Sequence, residues 1–133
     1  MTDGKRAVRL VLDASAVVGW LSGSVAVGEL IAEIDDEFGA AVLPLNCLVE
    51  AAHTTAMLQQ AHLEILIGHR AVSVLADDPD DWLALSTLRG IVGSADRASA
   101  AMLALDAGVD VLTRDARWYA GVAGGRIALE FDR

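Results

Sequence analysis

The stretch Val8-Arg9-Leu10-Val11-Leu12-Asp13 decides the reading of the fold. A short aliphatic run with β-branched members marks a strand covered on both faces. Ala41-Val42-Leu43, ended by Pro44, is a weaker run of the same kind. Val72-Ser73-Val74-Leu75, Val109-Asp110-Val111-Leu112-Thr113 and Ile127-Ala128-Leu129-Glu130-Phe131 complete a set of five. Ala- and Leu-rich helical stretches lie between them. Residues 15–21 and 25–36 form a pair separated at Gly23-Ser24, and 46–70 reads as two helices that break near Gln59-Gln60. A helix over 80–88 follows Asp78-Pro79, a capping residue and then the residue favoured at the first helical position. The stretch 94–107 begins with Ser94 as its cap and stops at Gly108, and 117–122 is a last short helix. Gly19, Gly23 and Gly28 read as helix breaks. Strands alternating with helices predict one α/β domain over 1–133, a parallel sheet between two helical layers, with 1–7 a flexible lead-in.

Composition narrows the function. With 133 residues, 54% of them hydrophobic, the chain has material for a core and too much apolar content for disorder. Ten basic against 19 acidic residues give a net charge of −9, which excludes a basic surface wrapped around nucleic acid. It leaves open an enzyme that meets a phosphodiester through a metal held by carboxylates. Cys47 is the sole cysteine, so no internal disulfide forms, and its apolar setting reads as a small buried hydrophobe. No run of eighteen apolar residues and no secretory apolar segment occur, which predicts a soluble cytoplasmic protein without a membrane partner.

Right-handed crossovers place the carboxyl ends of parallel strands along one edge, where ligands bind. Asp13 follows the first strand directly, and Asp115 comes two residues after Thr113. Glu50 falls in the first two turns of the helix after the 41–43 strand. Asp96 falls in the first turn of the 94–107 helix. Each acid taken singly reads as a cap or turn residue. Together they form an oxygen-only set from four segments, suited to Mg²⁺ or Mn²⁺ rather than zinc, because gathered carboxylates repel without a counter-ion. Asp77-Asp78 and Asp80-Asp81 read as capping and solvated charge, and Asp35-Asp36-Glu37 as a solvated helix end.

Val11-Leu12-Asp13-Ala14-Ser15, Leu43-Pro44-Leu45 through Val49-Glu50, Ser94-Ala95-Asp96-Arg97-Ala98 and Val111-Leu112-Thr113-Arg114-Asp115 resemble, in order and spacing, the four acid-bearing segments of PIN-domain ribonucleases. The length resembles that of VapC toxins of type II toxin–antitoxin pairs. The resemblance implies a PIN-like three-layer α/β/α fold with about five parallel strands and Mg²⁺-dependent endoribonuclease activity, with Mn²⁺ able to substitute. It also implies RNA as substrate, a VapB-type antitoxin as partner, and a homodimer. Asp13, Asp96 and Asp115 would then ligate metal directly or through water, and Glu50 would complete the cluster and orient or deprotonate the attacking water. Ser15 and Thr113 would hydrogen-bond a carboxylate or water; Arg114 and Arg117 would meet RNA phosphate, although helix cap, strand residue and solvated charge are their bland alternatives. Arg97 departs from the family's small residue.

Other signals carry less. Glu50-x-x-His53 has di-iron spacing, but that motif is needed twice and occurs once. His62 and His69 lack a third ligand, no phosphate-cradling glycine loop occurs, and Trp20, Trp82 and Trp118 read as core or interface anchors. Two rivals remain open. One is a non-catalytic PIN-like binding module. The other is a phosphoaspartyl phosphatase-like or receiver-like protein with Asp13 as nucleophile, which the absence of an acid at Ser15 and of any lysine beyond Lys5 disfavours.

Overall fold

The computed structural model describes residues 6–132. Five strands, β1 (Ala7–Leu12), β2 (Gly39–Pro44), β3 (Val72–Leu75), β4 (Asp110–Thr113) and β5 (Ala128–Glu130), form one sheet in the order β3-β2-β1-β4-β5, with every neighbouring pair parallel. Successive strand residues face opposite sides of a sheet. Leu10, Val11 and Leu12 are all buried, as are Val111, Leu112 and Thr113, so both faces of the sheet are covered. That is the PIN-like α/β/α architecture. The weakest run by composition, β2, is the most enclosed strand, and all six of its residues are buried.

The helices are α1 (Ala14–Leu21), α2 (Val25–Asp36), α3 (Leu45–Thr54), α4 (Gln60–Ile67), α5 (Trp82–Val92) and α6 (Ala95–Ala107). Several boundaries differ from the sequence reading. The break in 46–70 begins at Thr55, because Ala56 and Met57 take positive φ values of 53° and 63° and end α3 early. The 80–88 helix resolves into a 3₁₀ turn, Pro79–Asp81, capped by Asp78, followed by α5, which runs through Gly90 to Gly93. Residues 117–122 form no α-helix; two 3₁₀ turns, Ala116–Tyr119 and Ala123–Gly125, take their place. Only Gly23, at φ 85°, breaks a helix as expected. Gly28 lies inside α2, and Gly19 lies inside α1 where a Cβ would stand 2.8 Å from the Phe131 ring. Ser94 occupies the N-cap position of α6 but makes no capping bond.

Two charge readings and the extent of the lead-in are also corrected. Asp35 is no solvated helix end: it accepts from Arg6 Nη1 at 2.9 Å and from Arg70 Nε and Nη2 at 2.9–3.0 Å. Of the expected lead-in 1–7, residues 1–5 lie outside the described residues, Arg6 is held by this pair and by the Gly39 carbonyl, and Ala7 begins β1. Asp77 is not simply solvated; it accepts from buried Ser99 Oγ at 2.6 Å and Asn46 Nδ2 at 3.1 Å, tying β3's end to α6 and α3. Trp82, expected as a core or interface anchor, is 68% exposed and so lies outside the core, which leaves the interface half of that expectation open. Among the described residues no single helix is long and apolar enough to cross a membrane.

Candidate functional site

The strand order reverses at β1: the chain builds outward through β2 and β3, then returns to place β4 on the other side. Such a switch point leaves a crevice beyond the carboxyl ends of the two central strands. Asp13 stands there, at the end of β1, with its backbone N–H donating to the Leu112 carbonyl of β4 at 3.3 Å. The carboxylate caps α1, Oδ1 accepting from Ala16 N at 3.0 Å and from Ser15 Oγ at 2.6 Å. Its Oδ2 accepts from Tyr119 O–H at 2.7 Å. Only 1% of Asp13 is exposed, and these three donors keep its charge supportable inside the protein. They also spend most of its acceptor capacity, leaving the Oδ2 side the freer. Burial, and then the Asp13 charge, push the Tyr119 hydroxyl's pKa far above its ordinary value, so Tyr119 remains a donor.

Glu50 reaches the same place from α3 and Asp96 from the first turn of α6, and with Asp13 they line a cavity of about 390 Å³. Glu50 is exposed, with Thr54 Oγ1 donating to it at 3.5 Å. Ser15, Ser94, Arg97, Arg114 and Trp118 complete much of the wall. Arg97 is fixed there, donating to the Val92 carbonyl at 3.0 Å and stacking 4.2 Å over the Trp118 ring. Arg114 is exposed, and its backbone N–H donates to Ser15 Oγ at 2.9 Å.

Asp115 is the acid that the structure leaves out. It caps the Ala116–Tyr119 turn and does not line the cavity. Arg117 holds it by three bonds, N and Nε to Oδ1 at 3.0 and 2.9 Å and Nη2 to Oδ2 at 2.7 Å. This guanidinium lowers the pKa of Asp115 below the ordinary carboxylate value. Its root is still wired to the site: Asp115 N–H donates to buried Thr113 Oγ1 at 3.3 Å, which stands 3.4 Å from Ser15 Oγ. Ser15 and Thr113 thus sit beside the carboxylates. Arg114 lines the cavity, whereas Arg117 is spent on Asp115.

Among the described residues no three His, Cys, Asp or Glu side chains are grouped closely enough to hold one ion as they stand. The cavity's donors are nevertheless oxygens only. Cys47, next to it, is buried, and that burial with the Asp13 and Asp96 charges raises its thiol pKa well above the ordinary value. Ser94 Oγ, in the cavity wall, is a buried side-chain oxygen without a partner. This set fits a hard cation that keeps several waters and takes one or two carboxylates directly, as Mg²⁺ does. It does not fit a dry cage of four carboxylates. Tyr119 was missed by the sequence reading. It lies 106 residues from Asp13, inside the stretch 117–122 that reads as a short helix, and nothing local in that stretch points to Asp13.

No protein-family model matches this chain, and no curated protein matches it. Solved structures do, among them two of similar length. One is PAE2754 from Pyrobaculum aerophilum, at TM-score 0.68 and 20% identity over 96% of this chain and 92% of that one. The other is a chain of a toxin–antitoxin complex from Klebsiella pneumoniae, at TM-score 0.62 and 14% identity over 92% of this chain and 99% of that one. The likeness is one of fold. At these identities it carries no residue roles, and the site rests on the geometry above.

Proposed function

We propose that this chain is a divalent-metal-dependent endoribonuclease, the VapC-like toxin of a VapBC-type pair. One observation carries the reading: Asp13, Glu50 and Asp96, from three separate elements, line one cavity at the sheet's switch point, and no histidine joins them. Asp13 Oδ2 and Asp96 would hold Mg²⁺ or Mn²⁺, with Glu50 reached through water and Asp115 an additional ligand when released. The bound ion would polarise a phosphoryl oxygen and make a coordinated water more acidic. Glu50, exposed and lightly bonded, would orient or deprotonate the attacking water. Arg114, exposed in the cavity lining, would meet a phosphate oxygen, the contact that positions a strand without reading its sequence. The expected products carry 5′-phosphate and 3′-hydroxyl ends. A VapB-type antitoxin as partner draws on the shared fold with a chain of a toxin–antitoxin complex, and a cytoplasmic location goes with the same proposal. A homodimer is part of the same proposal, and exposed apolar side chains such as Leu45, Val49, Trp82 and Leu83 are available to its interface.

Purified chain free of antitoxin is expected to cut RNA with Mg²⁺ or Mn²⁺, to stop in EDTA, and to lose activity in Asp96→Asn. Cleavage that survives both EDTA and Asp96→Asn refutes the mechanism. A second reading, a non-catalytic binding module, draws on Asp115 being spent on Arg117. Tight partner binding without any uptake of divalent ion, followed by calorimetry, would favour it. The buried, triply bonded state of Asp13 argues against a phosphoaspartyl nucleophile.

A further inference from the structure

We propose that Arg117 is a positioning residue that decides whether Asp115 belongs to the acid-lined site: it latches the carboxylate outside the cavity, and a phosphate that draws Arg117 away delivers Asp115 to the cation. The inference rests on the metal-nuclease reading above and deepens it. Both Asp115 oxygens are engaged by Arg117 and none of the other three acids is restrained in this way. The guanidinium is 89% exposed while the carboxylate it holds is 19% exposed, so a phosphate from solvent meets the arginine first. A planar fork that binds a carboxylate by two bonds binds a phosphate in the same manner.

Release leaves neither partner stranded. Asp115 stays anchored by its backbone N–H on Thr113 Oγ1, one contact from Ser15 and two from Asp13; once the guanidinium leaves, the Arg117 backbone N–H on Oδ1 is the one bond its side chain still gives up to turn inward. Arg97, fixed in the cavity wall, already acts on the Asp115 charge. On the other side Glu130 at the end of β5, whose Oε2 accepts from Ala116 N at 3.3 Å, acts on the Arg117 charge and offers it a second anchor. An exposed pair of this kind is weak and salt-sensitive, which is what a latch opened by a polyanion requires. RNA binding and completion of the metal site would then occur together.

Calorimetric titration of Mn²⁺ into the metal-free protein tests this without reference to cleavage. Arg117→Ala is expected to bind Mn²⁺ about 1.4- to fivefold more tightly than the parent chain, the range of an exposed pair released, with Arg117→Lys between the two because it keeps the charge and loses the fork. In an Asp115→Asn background Arg117→Ala is expected to bring no gain, since nothing remains to be released. An equal gain in both backgrounds, which is the signature of a remote charge effect, overturns the latch. So does no gain in the parent background. If the parent binds Mn²⁺ through Asp96 and Arg117→Ala changes nothing, the latch alone falls. If neither protein takes up Mn²⁺, the metal reading falls with it.

Discussion

Tyr119→Phe separates the donor from the ring that carries it. Tyr119 is fully buried, so phenylalanine keeps the packing and opens no cavity; only the 2.7 Å bond to Asp13 Oδ2 is lost. Hydrogen bonds to charged groups contribute about 1.5–3 kcal/mol. Asp13 retains the Ser15 and Ala16 donors, so the lower part of that range applies, about 1.5–2 kcal/mol. At roughly 2.1 cal/mol/K per residue, a chain of this length unfolds with an entropy near 0.28 kcal/mol/K, and Tm should fall by about 5–7 °C. Differential scanning calorimetry at pH 7 in EDTA reads that drop. Saturating Mn²⁺ should then narrow the gap between the two proteins, because the oxygen freed from Tyr119 gains the cation or one of its waters as a new partner. An unchanged Tm in EDTA would show that the bond contributes nothing to folding. A gap that widens in Mn²⁺ would show that Tyr119 helps to hold the cation, and would refute the competition argued here.

Two further expectations concern folding rather than the site. Gly19→Ala and Gly28→Ala, both inside helices, should act in opposite directions. A Cβ at Gly28 meets nothing within 4 Å, so the helix-propensity gain of up to about 1 kcal/mol should raise Tm. At Gly19 it meets the Phe131 ring at 2.8 Å, and overpacking of about 1–3 kcal/mol should outweigh that gain and lower Tm in a thermal melt. Asp35→Asn should destabilise at neutral pH by releasing Arg70 and Arg6. Arg70 above all holds the Asp35 pKa below the ordinary carboxylate value, so its contribution is present above that ordinary value and is lost as pH falls through the lower folded one. The Tm difference between Asp35→Asn and parent should therefore shrink as melts are taken to acid pH; a difference independent of pH would contradict the ion-pair origin.

What the sequence determined follows from burial. A strand enclosed on both faces is mostly aliphatic along its length, so Leu10-Val11-Leu12 and Val111-Leu112 announce themselves without knowledge of any neighbour. Once the strands are known, right-handed connection places their ends, and the residues next to those ends, on one edge; Asp13 was legible for that reason. Glu50 and Asp96 were legible as early residues of helices that start near that edge. β2 was nearly missed because alanine and glycine carry little strand signal, although the sheet buries them completely. The tertiary structure alone decided which side chain each acid faces. Tyr119 reaches Asp13 across 106 residues, Ser99 reaches Asp77 across 22, and Asp115 turns to Arg117 two residues away rather than toward the cavity. These outcomes depend on rotamers chosen among competing partners in three dimensions. Hydrophobic periodicity reports only which side of an element is dry, and a polar side chain's partner is fixed only after the elements have packed.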